Sequence, residues 1–326
     1  MPLVRVGTRA SALALAQTGH VADALTGLGA GEHELVRVRT EGDRLTGSLT
    51  SLGGTGVFVT ALRDALLDGR CDIAVHSFKD LPTAPAQGLV VAAVPLREDP
   101  CDALCSAQSS WTLAGLPRGA TVGTGSPRRA AQLRAVRPDL RVVDIRGNVD
   151  TRLRRVEDDL DAVVLARAGL ARLGRLDAVT DTLPVDVLTP APAQGALAVE
   201  VRVQDATGDG PLAAALAALD HRPSRLAVLA ERALLARLEA GCAAPVGAYA
   251  QVTEDGTALD LTAVVLRPDG TAQLRRTGST GIGTGSRAGV GVTDPDVEHA
   301  VRLGARLADE LLADGAADLA GLGTSA

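Results

Sequence analysis

The residues best placed to do chemistry crowd one stretch, CDIAVHSFKDLP at 71–82. There a short apolar run, Ile73-Ala74-Val75, gives way to His76, Ser77, Lys79 and Asp80 before Leu81-Pro82 stops the segment. Such an apolar run fills the middle of a sheet covered on both faces. In open α/β sheets the carboxyl ends of strands are where ligands bind. Asp80 is the candidate acid–base group, and Lys79, the only lysine in the chain, is its candidate electrostatic partner. Strand alternation points Lys79 away from Asp80 unless the turn has already begun. A second set lies between Arg128 and Arg155, where nine Arg stand against three Asp in a chain of net charge −6. Arginine suits bidentate capture of carboxylates. Arg9, Arg128, Arg129, Arg146 and Arg152 fall at expected strand-to-helix turns, where free backbone N–H groups and the helix dipole favour anions. Arg134, Arg137, Arg154 and Arg155 read as solvated helix faces. Cys242, in RLEAGCAAPVG, follows Gly241, which can end a helix in the left-handed conformation. The negative end of that helix disfavours a thiolate. A nucleophilic role therefore needs a strongly electrophilic partner, and an inert packed cysteine is the plainer alternative.

The elements that must carry these groups repeat a β-α grammar. Strands are expected at 4–8, 34–39, 73–77 and 89–94, with helices at 12–25, capped by Ser11, and 57–67. SLGGTGVF holds a loop that Gly53, Gly54 and Gly56 let approach closely. Residues 95–100 form a first boundary. After it TVGTGS is a strand entering a turn, and Ser126-Pro127 opens a helix with a cap and a proline in its first position. Strands at 142–145 and 161–166 follow, with Asn148 capping the helix of Arg152 and a further helix carrying Arg172. The three prolines of LPVDVLTPAPAQG mark a second linker. Beyond it come a strand at 196–202, one helical region at 212–239, antiparallel strands at 246–252, 259–266 and 272–276, a loose glycine-rich loop at 278–291, and a helix at 295–313. Alternation of this kind predicts mostly parallel sheets, followed by a unit of different type.

Composition narrows the function. At 326 residues the chain is long enough for two to three domains, and 46% hydrophobic residues with only 1% aromatic means cores of Ala, Val and Leu. The acidic balance argues against a general nucleic-acid binder. Four cysteines make no disulfide framework, and Cys101 and Cys105 have no His pair or second Cys pair nearby for zinc. No stretch reaches the length of a membrane span and the N-terminal apolar run is too short for a signal peptide, so a soluble cytoplasmic protein is expected. GTGSPR has two glycines of a dinucleotide fingerprint, but Arg128 stands where the third belongs, and a Walker lysine is lacking.

Taken in order, GTRAS, DIAVHSFKDLP, VGTGSPRRAAQL, IRGNVDTRL, LARAGLARLG, APAQGALAVE and ERALLARLEAGCAAPVG resemble the porphobilinogen deaminases over essentially the whole chain. The resemblance implies an α/β fold: two type II periplasmic-binding-protein-like domains, 1–97 with 196–216 and 98–190, plus a smaller α+β C-terminal domain at 217–326. It places the strand from Ala196 with the first domain. It implies a transferase that condenses four porphobilinogen molecules head to tail, releasing ammonia and then 1-hydroxymethylbilane, on a dipyrromethane primer held covalently by Cys242. Asp80, Lys79 and Arg9 would be catalytic. The cofactor would be held by Asp80, Ser77, Thr124, Ser126, Arg128, Arg129, Arg146 and Gly147. The substrate would be held by Arg9, Ser11, Phe58, Arg146, Arg152, Arg172 and Gln194. No metal, nucleic acid or membrane is implied, and a monomer suffices. The chain departs from the family at Glu41-Gly42-Asp43, where many members have Arg-Gly-Asp, and at Ser51, Thr55 and Thr60, where they have lysines. The glycine loop therefore offers a carboxylate no lysine. The alternative of a different class is a non-catalytic polycarboxylate-binding protein on the same scaffold, which needs neither Asp80 nor Cys242.

Overall fold

The computed structural model describes residues 3–38, 56–240, 244–283 and 294–322, with side chains from Val59 onward in the second helix. Three cores result. The first α/β unit runs β1 (Leu3–Thr8), α1 (Ala12–Gly27), β2 (Glu32–Arg37), α2 (Gly56–Leu67), β3 (Ile73–Ser77) and β4 (Leu89–Ala93). The second holds β5 (Asp102–Ser106), β6 (Thr121–Gly123), α3 (Pro127–Val136), β7 (Arg141–Val143), α4 (Val149–Asp158), β8 (Ala162–Ala166), α5 (Arg167–Arg172) and β9 (Asp181–Leu183). The chain continues with β10 (Leu197–Arg202), α6 (Val203–Thr207), α7 (Pro211–Leu219) and α8 (Arg222–Arg237). It closes with β11 (Val246–Val252), β12 (Ala258–Leu266), β13 (Gln273–Gly281), α9 (Pro295–Ala313) and α10 (Ala316–Ala320).

The two large sheets share one plan, β2-β1-β3-β10-β4 and β7-β6-β8-β5-β9. In each, three parallel strands meet a fourth that runs antiparallel to both neighbours. That fourth strand arrives each time by crossing from the other unit: β5 straight after the first sheet, β10 straight after the second. This is the type II periplasmic-binding-protein-like arrangement that the resemblance implied, with a three-stranded antiparallel sheet and helices α8 and α9 forming the α+β unit. The cores are aliphatic, as the composition requires: Val4, Val6, Ile73, Val75, Val199 and Leu216 fill the first, and Leu226, Leu234, Leu261, Leu303 and Leu307 the last.

Four details differ from the sequence reading. β5 and β9 are not among the expected strands, because DALCS and DTL carry a charge and no long apolar run; β5 is nevertheless central, its Asp102 neutralised only by distant arginines. The single helix expected at 212–239 is two. Asp220 and His221 leave the helical path to pair with the end of β4, Asp220 Oδ1 accepting from Val94 N at 2.7 Å and His221 N donating to Val94 O at 2.8 Å, and Pro223 then starts α8. Residues 278–281, expected in a loose loop, extend β13 in register with β12. At the end of α8 the left-handed residue described is Glu239, φ +50°, whereas Gly241 and Cys242 lie outside the described residues.

Candidate active site

At the carboxyl end of β3 the strand does begin to turn early: Phe78–Asp80 is one turn of 3-10 helix, closed by Leu81 N donating to Phe78 O. Phe78 is buried in an aliphatic cluster, which anchors the turn. Asp80 is exposed, with no hydrogen bond or ion pair to its carboxylate among the described residues. Lys79 is half-buried, its Nζ 3.4 Å from Gln194 Oε1. Burial pushes its pKa down to about 8, against the pull of Asp80 and with the further push of Arg129 and Arg128. Ser77 Oγ donates to Gln17 Oε1, so the strand end is tied to α1, whose first turn is capped by Ser11. Arg9 lies between the end of β1 and that cap, half-buried.

Gln194 is the hinge of the arrangement. It is 1% exposed, its Oε1 accepting from Lys79 on the first unit and Arg129 on the second, and its Nε2 donating to Pro100 O and Asp102 Oδ1 at 2.7 Å each. It follows Ala193, φ +62°, and precedes Gly195, φ +87°, so the second crossing turns sharply around it. A Cβ on Gly195 would stand 2.3 Å from Glu98 O on the first crossing, which is why the two crossings can touch there. As the amide is fully engaged in protein contacts, Gln194 joins the two faces of the site rather than standing open to a ligand.

Across Gln194, α3 starts with Ser126 Oγ accepting from Arg129 N and Thr124 Oγ1 accepting from Ser126 N. Arg128 and Arg129 are both buried. Asp102 receives Arg128 Nη2 at 2.8 Å and Arg129 Nη2 and Nε at 2.8 and 3.0 Å, while Arg128 Nη1 and Arg129 Nη1 donate to Thr189 O and Val164 O. Burial would raise the Asp102 pKa, but the two guanidiniums and the Gln194 bond hold it far below the usual carboxylate range. These two arginines therefore act from behind the site, as a buried positive floor. The arginines free to take an external carboxylate lie further along. Arg152, on the second turn of α4, donates Nε to Gly147 O at 2.8 Å, and no carboxylate comes within ion-pair distance of it among the described residues. Its pKa is lowered by burial, then by Arg129 and Arg146. The Arg152 Nη2 atom reaches the Thr124-Gly125-Ser126 turn, where a Cβ on Gly125 would sit 3.7 Å from it and 2.5 Å from Ile145 O. Arg146 is exposed and pairs with the equally exposed Asp144, an exchangeable partner, and Gly147 beside it has φ +108°. Arg172 donates Nη2 to Gly195 O, and burial lowers its pKa. It lines a cavity of about 220 Å³ with His20, Leu96 and Glu98. The Phe58 side chain lies outside the described residues.

Sequence reasoning passed over Asp102, Arg97, Glu231 and Arg232. Glu231, fully buried on α8, accepts from Arg97 on the first crossing (2.7 and 3.0 Å), from Ala193 N on the second, and from Ala250 N on β11. The only local signal for Glu231 and Arg232 is the ERALLARLEAGC run, and Arg97 and Asp102 stand in no motif.

Two α/β units of one strand order, the first carrying the exposed Asp80 and the second the arginine set, are joined through Gln194, with an α+β unit tied to both crossings. The chain matches the family model "Porphobilinogen deaminase, dipyromethane cofactor binding domain" over residues 4–209 and "Porphobilinogen deaminase, C-terminal domain" over 225–313. It belongs to the porphobilinogen deaminase family of transferases, whose cofactor is dipyrromethane. The porphobilinogen deaminase of Leifsonia xyli subsp. xyli is 59% identical over 320 residues, covering 98% of this chain and 94% of that one. The one from Thermobifida fusca is 55% identical over 316 residues, covering 96% and 94%. Among solved structures, an arginine-specific periplasmic binding protein of Salmonella typhimurium spans 67% of this chain and 92% of its own, at 16% identity and a TM-score of 0.36.

The donor set fits a dipyrromethane. A group bearing several acidic side chains needs cations without internal carboxylates, and among the described residues Lys79, at Gln194, and Arg152, at the Gly125 turn, have no carboxylate within ion-pair distance.

Proposed function

We propose that this chain catalyses the stepwise head-to-tail condensation of four porphobilinogen molecules, releasing ammonia and finally 1-hydroxymethylbilane by hydrolysis, as a hydroxymethylbilane synthase. The observation that carries the reading is Asp80: an exposed carboxylate without a partner among the described residues, on a turn whose Lys79 shares the Gln194 amide oxygen with the buried Arg129. Cys242 would hold the dipyrromethane, which when bound supplies the terminal pyrrole that the first substrate extends. The Asp80 carboxylate accepts pyrrole N–H groups, stabilises the cation left on the substrate as ammonia departs, and takes up and returns the proton. Arg9, Ser11, Arg146, Arg152 and Arg172 take the acetate and propionate of the incoming pyrrole. Lys79, Ser77, Thr124, Ser126 and Gly147 line the primer's side, with Arg128 and Arg129 supplying the positive floor. The domains are taken as 1–97 with 196–216, 98–190, and 217–326. We read the protein as a cytoplasmic monomer; Cys71, Cys101 and Cys105 are free thiols, which a reducing compartment would preserve.

The test is intact mass beside turnover. Wild type should carry a mass excess of two linked pyrroles that the Cys242→Ser variant lacks. Asp80→Asn should keep the excess and lose at least about 100-fold in rate, as expected for a central acid–base and electrostatic group. No mass excess in protein from cells that make porphobilinogen, or near-normal turnover of Asp80→Asn, would overturn the reading.

A further inference from the structure

The turn that carries Asp80 is held from outside its own unit. Arg232, in the middle of α8, donates Nη1 to Phe78 O at 3.2 Å and Leu81 O at 2.8 Å, and Nη2 to Pro82 O at 2.6 Å. Its Cζ lies 4.5 Å from the centre of the Phe78 ring. Three carbonyls flanking Asp80, one before it and two after, thus converge on one planar cation, and the ring that anchors the turn is stacked against it. On the opposite side Phe78 N donates to Ala196 O, so the turn is fixed between the second crossing and α8. Burial lowers the Arg232 pKa to about 10, with Arg63 adding to the fall, and carbonyl dipoles in place of a carboxylate leave the positive charge only partly offset. That is an expensive way to hold a loop that hydrophobic packing could hold.

The neighbouring residue shows what the cation achieves. Glu231 fixes α8 to both crossings and to β11, and Arg232 fixes it to the Asp80 turn. Cys242 follows in sequence just beyond the end of α8, after Leu238 and Glu239. One rigid helix therefore touches the acid's turn at its centre and leads to the primer's attachment residue at its end.

We propose that Arg232 is a positioning residue for the condensation: by gathering the carbonyls of Phe78, Leu81 and Pro82 it sets the place of the Asp80 carboxylate relative to α8. The assignment rests on Asp80 acting as proposed above. Arg232 itself does not touch substrate. Its loss lets the turn drift by a fraction of an ångström to an ångström, and misplacement of that size costs up to about 100-fold in rate.

The experiment compares wild type, Asp80→Asn, Arg232→Ala and Arg232→Lys, each assayed as primer-loaded protein checked by intact mass. For Arg232→Ala we expect kcat to fall about 10- to 100-fold while KM stays within about threefold, because the lost interaction matters in the transition state rather than in ground-state binding. Primer loading should be unchanged. Ethylguanidinium at millimolar concentration should restore part of kcat by refilling the vacated position, and Arg232→Lys should fall between Ala and wild type. A kcat unchanged in Arg232→Ala while Asp80→Asn is inactive overturns the positioning role alone. A fall in kcat that tracks lost primer, with no rescue by ethylguanidinium, also overturns it. Full activity in Asp80→Asn overturns the underlying reading and this assignment with it. If Arg232→Ala does not fold, Arg232→Lys decides: a lower kcat at an unchanged unfolding midpoint supports the role, and an unchanged kcat refutes it.

Discussion

Replacing Asp102 by Asn should destabilise the second α/β unit far more than removing an ordinary surface charge. Asp102 is 0% exposed and receives four hydrogen bonds of 2.7–3.0 Å, three from Arg128 and Arg129 and one from Gln194. Asn keeps the shape but presents at least one N–H where donors already point, and it leaves two buried guanidiniums without a counter-charge. Breaking a buried ion pair from one side costs about 3–5 kcal/mol. At a urea slope of about 1–3 kcal/mol per molar, that lowers the midpoint by at least about 1 M. Trp111, the only tryptophan, packs against the core formed by Leu104, Leu113, Leu116 and Leu133, so its fluorescence follows this unit selectively. The pH dependence has a definite sign. The folded pKa of Asp102 is depressed, so its contribution is complete above the unfolded-state value of about 4 and drains away as pH falls below it. The gap between wild type and Asp102→Asn should therefore be constant from neutral pH to about pH 5 and shrink below about pH 4. A loss under about 1 kcal/mol, the range of an exposed pair, would refute the argument that Asp102 neutralises the arginine floor.

Gly195→Ala should destabilise the protein by more than about 1 kcal/mol and lower its thermal midpoint, since the residue has φ +87° and a Cβ would meet Glu98 O at 2.3 Å; a midpoint equal to wild type would mean the two crossings are free to separate. Acylation of the amine of Lys79 can be followed at a single peptide because the chain has no other lysine. Its rate should rise with a midpoint near the pKa of about 8 rather than the ordinary value of about 10.4, and a midpoint above pH 10 would show that the ammonium is not desolvated beside Arg129.

Local chemistry was readable in the sequence, and distant pairing was not. Ser11, Ser126 and Asn148 are capping residues whose partners lie three positions on, and each caps as its own sequence suggests. The strand before Asp80 needs only its apolar run, and α9 only its periodicity and Pro295. β5 fails this test because Asp102 becomes tolerable in a strand only through arginines 26 and 27 positions away. Arg232 reads as one more solvated arginine of an amphipathic helix until carbonyls 150–154 positions back are brought to it. Arg128 and Gln194 show the converse limit: sequence names the residue type at the site, and only the fold shows that burial has already engaged it with protein.

The fourth place in each large sheet has a consequence for how the chain leaves the ribosome. β5 is available to β8 and β9 as soon as the second unit is synthesised, so that sheet can close on itself. β3 and β4, by contrast, emerge more than a hundred residues before β10, the strand that must lie between them. Until then the edges of two apolar strands stand unpaired in the nascent polypeptide, and the segment most exposed to mispairing is the one that ends in Asp80. Vectorial synthesis would thus complete the second unit before the first, and the acid's turn would settle only once β10 and then α8 have docked.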